Sequence, residues 1–138
     1  MPRPDLAAML LQLGRATAIA EEPILRDHDL TMWAYVVLLH LDDQPVRTQA
    51  ALAEAIGADK TRIIDVLDNL QHRGLIAREP DPADRRARLL SITPTGQKLR
   101  NSAQTAIQAN EQSLLGTLTA ADQRKFLATL QRLADEIS

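Results

Sequence analysis

Residues 48–74 read TQAALAEAIGADKTRIIDVLDNLQHRG, and few folds accept that spacing. Two helices that cross steeply need a small residue where they touch, a glycine in the turn, and apolar residues that lock the second helix down. Ala53 supplies the small contact, and Gly57 follows four residues later. Leu52, Ile56, Ile63 and Val66 stand at the locking positions, while Leu67 and Leu70 continue the inner face. The spacing predicts a short helix from Thr48 and a second from about Asp59 to His72, with Gly74 as its left-handed stop.

The outer face of that second helix carries Asp59, Lys60, Thr61, Arg62, Asp65 and Asn69. Residues at the N-terminal end of such a helix meet base edges in a major groove, where the helix dipole also favours phosphate. Lys60 and Arg62 suit guanine, and Thr61 suits a thymine methyl or a phosphate. Asp59 reads as an N-cap.

Next come LIARE and ARLLSIT, two strands with Leu75, Ala77, Leu90 and Ile92 turned inward and Arg78 and Ser91 outward. PDPADRR between them makes the hairpin turn. A hairpin placed after a recognition helix lies beside the adjacent minor groove, whose narrow A·T-rich form attracts arginine. Arg85, Arg86 and Arg88 are collected there, and Asp84 is expected to hold a neighbouring arginine and stiffen the tip. The charge distribution agrees. Residues 73–100 hold seven Lys and Arg against three acids, although the whole chain carries −2. A basic patch on an acidic body binds a polyanion selectively. The expected DNA contacts are Thr48, Lys60, Thr61, Arg62, Asp65, Arg73, Arg85, Arg86 and Arg88.

Helices flank this unit on both sides. Leu6, Met9, Leu10, Leu13 and Ala16 fall on one face of a first helix that Glu21-Glu22-Pro23 is expected to break. Thr31 is the predicted N-cap of a second, TMWAYVVLLHLDDQ, apolar on nearly all sides and therefore central, with Pro45 closing it. Thr93-Pro94 opens a long helix with an alanine stripe at Ala103, Ala106 and Ala109. Gly116 and Thr119 divide it from a last helix whose Phe126, Leu130, Leu133 and Ile137 form a pairing seam. The fold class expected is mainly α with a small β-hairpin wing, a winged helix-turn-helix in one domain of residues 1–138. Residues 46–96 form the DNA-binding lobe, and residues 1–28 and 97–138 form the dimerisation helices. The exposed seams call for a homodimer through Leu6, Leu10, Phe126, Leu130, Leu133 and Ile137.

LTMWAYVVLLHL, LAEAIGADKTRIIDVLDNLQHRGLI and DPADRRARLLSITPTG together resemble the MarR (multiple-antibiotic-resistance regulator) family, over nearly the whole length from Leu30 to Ile137. The resemblance implies a homodimer that represses transcription at a near-palindromic operator. It also implies release by a small phenolic or lipophilic effector bound between the two lobes. In the family's Asp-x-Arg wing pattern the minor-groove arginine is the third residue, which is Arg86 here, and Arg85 becomes a phosphate contact.

The remaining composition excludes several classes. Without cysteine there is no disulfide, no zinc-thiolate site and no thiol redox sensing, so the family's oxidation-sensing branch does not apply. His28, His40 and His72 show no metal-ligand spacing, and no metal or cofactor is expected. No phosphate loop, nucleophile-histidine pair or paired-carboxylate frame marks an enzyme. The N-terminal stretch reads as neither a signal peptide nor a membrane span, so a soluble, cytoplasmic protein is expected. A winged helix used only for protein contacts is the competing reading, and it leaves the arginine cluster unexplained. An effector site is expected where the lobes meet, at Leu13, Arg15, Thr17, His28 and Trp33. Trp33, His28 and Arg15 could stack on or pair with an aromatic acid there.

Overall fold

The computed structural model describes residues 1–43 and 48–137. Eight elements follow in chain order. They are α1 (Leu6–Asp27), α2 (Met32–Asp43), α3 (Gln49–Ile56), α4 (Lys60–His72), β1 (Ile76–Asp81), β2 (Asp84–Ile92), α5 (Pro94–Leu115) and α6 (Ala120–Ile137). The expected stop at Pro45 and the first residues of the 46–96 lobe lie outside the described residues.

Each helix start that matters to the DNA-binding lobe is set by a local side chain. Thr31 Oγ1 accepts from the N–H of Ala34 at 3.1 Å, Thr48 Oγ1 from Ala51 at 2.9 Å, and Asp59 Oδ1 from Thr61 at 2.8 Å. These bonds satisfy amides that a helix N-terminus leaves without intrahelical partners. Gly57 and Gly74, at φ 70° and 74°, end α3 and α4 in the left-handed region that glycine enters without strain.

The core lies where α2 meets the lobe. Helix α2 touches α1, α3, α4, α5 and β2, and buries Ala34, Tyr35, Val37, Leu38 and Leu41. Leu52, Ala53, Ile63, Leu67 and Leu70 meet it from α3 and α4, with Leu90 from the hairpin. Helices α3 and α4 pack on each other, and Ala53 is buried as the spacing requires.

Two expectations are corrected. Helix α1 does not break at Glu21-Glu22-Pro23; it runs on to Asp27 with Pro23 inside it. Proline removes one intrahelical hydrogen bond, but burial of Leu25 and packing on α2 and α5 hold the segment helical. Along α5 the buried line runs through Gly96, Ala103 and Ile107, while Ala109 of the alanine stripe is exposed. A period of three slips by about 60° per step around a 3.6-residue helix, so the stripe leaves the core face. Strand β1 is in a different phase, with Ile76 buried rather than Ala77 and Arg78 opposite Leu90 rather than turned outward, while Leu90 and Ile92 of β2 face the core as expected.

The wing also turns more tightly than expected. Strand β1 continues through Pro80 to Asp81, and β2 begins at Asp84, leaving only Pro82 and Ala83 between them. Pairing jumps from Pro80↔Arg88 to Asp81↔Asp84, so Arg85, Arg86 and Ala87 have no counterpart on β1. They form a bulge at the wing tip, a device that re-aims side chains.

The start of α5 fastens the hairpin to the lobe. Thr93 donates its hydroxyl to the Gly74 carbonyl at 2.7 Å, and its N–H to Leu75 at 3.1 Å. A Cβ added to Gly96 would fall on the Leu75 carbonyl oxygen. Gly96→Ala should therefore lower stability by about 1–3 kcal/mol, as overpacking does. A urea denaturation midpoint equal to the wild type would contradict this contact.

Candidate nucleic-acid interface

Helix α4 buries Ile63, Leu67 and Leu70, which turns the opposite side to solvent. Lys60, Thr61, Arg62 and Asp65 are all exposed there, in its N-terminal half. The Asp59 cap fixes the first turn, and the free amide end supplies partial positive charge toward any phosphate placed beside it. Thr48 is exposed too, but its hydroxyl oxygen is engaged as the α3 cap.

The wing projects Arg85, Arg86 and Arg88, all exposed. Asp84 stiffens the tip by a different route from the one expected. Its Oδ1 accepts from the backbone N–H of Arg86 at 3.0 Å, rather than from an arginine side chain. Asp81 Oδ1 does the same for Ala83 at 2.9 Å, so two carboxylates brace the turn backbone. Among the described residues no carboxylate pairs with the guanidinium groups of Arg85, Arg86 or Arg88.

Arg73 is placed apart from this surface. It caps the far end of α4, about 20 Å from Lys60 by helical rise. Its Nη1 donates to the Asp29 carbonyl at 2.7 Å, beside the left-handed Asp29 (φ 54°) that links α1 to α2. This contact braces a corner of the fold.

Sequence reasoning missed one tie across the site. Arg78 of β1 donates to Asp68 of α4 at 2.7 Å, with the Arg78 side chain mostly covered. The pair joins the wing to the recognition helix and neutralises a carboxylate on the face of α4 that carries Thr61 and Asp65. Only the three-dimensional approach of β1 to α4 reveals it.

The five residues expected at an effector site are not gathered into one chamber. Leu13 and Thr17 line a cleft of about 490 Å³ among α1, α5 and α6, together with Phe126 and Leu130. Glu21 and Glu111 are its charged lining groups. Burial, reinforced by Glu111, raises the Glu21 carboxyl above the usual carboxylate range. His28 instead bridges helices, with Nδ1 2.7 Å from the Ile24 carbonyl and Nε2 3.1 Å from the Ser102 hydroxyl. Trp33 is half-buried at the start of α2, and Arg15 is exposed on α1. A second, more open groove of about 700 Å³ runs between α1 and the start of α2, lined by Leu25, Leu30 and Met32 with Glu21, Glu22, Arg26 and Asp29.

The two lobes are linked where α2 meets α5. Asp42 accepts from Gln97 at 3.1 Å and pairs with Arg100 at 3.3 Å, with both charged side chains largely covered. The seam residues Leu6, Leu10, Phe126, Leu130, Leu133 and Ile137 are all exposed, and α6 buries none of its residues. Among the described residues no group of three His, Asp or Glu stands close enough to hold a metal ion, and no helix is long and apolar enough to cross a membrane.

Comparison with known proteins gives consistent matches. A family profile described as "MarR family" matches residues 28–87. The transcriptional regulator HosA of Escherichia coli O111:H- is 32% identical over 105 residues, covering 76% of this chain and 78% of HosA. CouR of Rhodococcus jostii RHA1, solved with p-coumaroyl-CoA, superposes with a TM-score of 0.76 at 29% identity, over 94% of this chain and 92% of CouR. The repressor CouR bound to a 23-mer DNA duplex superposes with a TM-score of 0.77 at 28% identity, over 97% of this chain and 93% of CouR.

Proposed function

This chain belongs to the MarR family of transcriptional regulators, and we propose that it acts as a homodimeric, ligand-released repressor at a near-palindromic operator. The observation that carries the reading is the joint presentation of two DNA-facing devices. The exposed N-terminal half of α4 suits a major groove, and the braced wing with Arg85, Arg86 and Arg88 suits the flanking minor groove and its phosphates. Lys60, Thr61, Arg62 and Asp65 contact the half-site, and Thr48 lies at the adjoining backbone. A two-fold dimer through α1 and α6 repeats the set on the second half-site.

Release requires an effector that binds the DNA-competent and incompetent states with different affinity. The Asp42–Arg100 link makes the α2–α5 junction the element such a ligand would bias. CouR, a structural neighbour, was solved with an aromatic acyl thioester, and an aromatic or lipophilic effector is the class proposed here. The cleft holding Glu21 and Glu111 repels an acid and adjoins the dimer seam. The groove between α1 and α2 is next to Trp33 in the chain and carries Arg26, which pairs with Glu22, alongside Glu21 and Asp29. Lying apart from the dimer seam and beside Trp33, it is the seat proposed.

Titration with aromatic carboxylates tests this site. Quenching of Trp33, the one tryptophan in the chain, should run in parallel with loss of the shifted DNA band. Release that leaves both the Trp33 signal and a Trp33→Phe variant unaffected would place the effector elsewhere.

A further inference from the structure

A single exposed aliphatic residue is ordinary on a protein surface, but Ile64 is unusual by its place. It is 42% exposed, and it is the one large exposed hydrophobic residue between Thr48 and Gly96. The others lie at Met1, on α1, at the start of α2 and from Leu114 onward. Ile64 follows Thr61 by three residues and Lys60 by four on the exposed side of α4, so its side chain neighbours both. Thr61 and Asp65 lie four apart, nearly opposite the buried line of Ile63 and Leu67. Arg62 stands on the flank away from Ile64.

Asp65 is the second unusual group. It is exposed and has no ion pair among the described residues, whereas Asp68 one turn later is neutralised by Arg78. A bare carboxylate on this face is repelled by phosphate. What it accepts favourably in a major groove is the amino group of cytosine. A branched aliphatic side chain finds one apolar partner there, the C5-methyl of thymine.

Resting on the DNA-binding reading above, we propose that Ile64 reads a thymine methyl and Asp65 an adjacent cytosine amino group in each half-site. On this assignment the cations Lys60 and Arg62 secure the helix at the groove edges, and Thr61, Ile64 and Asp65 discriminate between bases. Arg78 holds Asp68 out of that competition, so one carboxylate rather than two faces the bases.

The test starts from duplexes selected out of a randomised pool with the full chain, followed by replacement of each thymine with deoxyuridine. At one thymine per half-site the loss of the methyl should weaken binding about fourfold, the worth of one buried methyl group. Ile64→Ala, at an exposed position that leaves the core intact, should bind thymine and uracil there equally. Asp65→Ala should select sites that have lost cytosine at the neighbouring position. Wild-type indifference to uracil at every thymine would overturn the proposal, as would an Ile64→Ala variant that keeps the thymine preference. Failure to select any duplex would instead overturn the DNA-binding reading, and this assignment with it.

Discussion

Leu130→Asp should convert the protein to a monomer and remove tight operator binding with it. Phe126, Leu130, Leu133 and Ile137 recur every three or four residues along α6, and each is exposed in the single chain. No residue of α6 is fully buried within its own protomer, which leaves the seam open to a partner. A carboxylate at the middle of that seam must be desolvated on association, a cost of several kcal/mol that no basic residue in the seam offsets. The core residues lie on α1 to α5, the hairpin and the turns beside them, and none lies on α6, which leaves the lobe folded. A lone lobe then holds one half-site, and affinity should fall by about 10²–10⁴-fold with the loss of bivalency. Sedimentation and a mobility shift read the two effects separately. A variant that still sediments as a dimer would show that α6 is not the contact.

Arg86→Ala should cost ~1–3 kcal/mol at each wing and remove the preference for A·T pairs at the operator flank. The reasoning is geometric as well as electrostatic. Arg86 sits in a bulge without a β1 counterpart, and its backbone is pinned by Asp84, so its side chain is aimed by a fixed tip. Arg85→Ala should instead weaken binding evenly across flanking sequences and lower the salt slope by ~1 per lost phosphate contact. Equal, sequence-independent losses from both substitutions would mean that the wing grips only backbone.

What could be read from the chain was local. Gly57, Gly74, Thr31, Asp59 and Thr93 each act through their own neighbours, so the caps and stops predicted at these positions are present in the structure. The strand phase was harder, because Leu75 and Ile76 are adjacent and both apolar, and alternation alone cannot choose between them. The inward placement of Arg78 depends on Asp68, ten residues away on another element. Pro23 shows the same limit in reverse, since a local breaker is overruled by packing that periodicity does not contain. The effector site suffered most. Leu13, Arg15, Thr17, His28 and Trp33 were grouped by chain position, and only the packing of α1 on α5 separates them. Ile64 was passed over because an isoleucine on a helix reads as core until the buried line is seen to run through Ile63 and Leu67.

The central claim is that this surface binds DNA, and its salt dependence tests that most directly. With a duplex selected from a randomised pool, anisotropy titrations across a range of potassium chloride concentrations give the slope of log K against log salt. Six wing arginines in a dimer, with the exposed ends of two α4 helices, should give a slope of about −5 or steeper. The selected sequences should also form a near-palindrome with half-sites one helical turn apart. A chain that enriches no duplex, or whose weak binding does not change with salt, would contradict the claim and return this winged helix to the class of protein-contact modules.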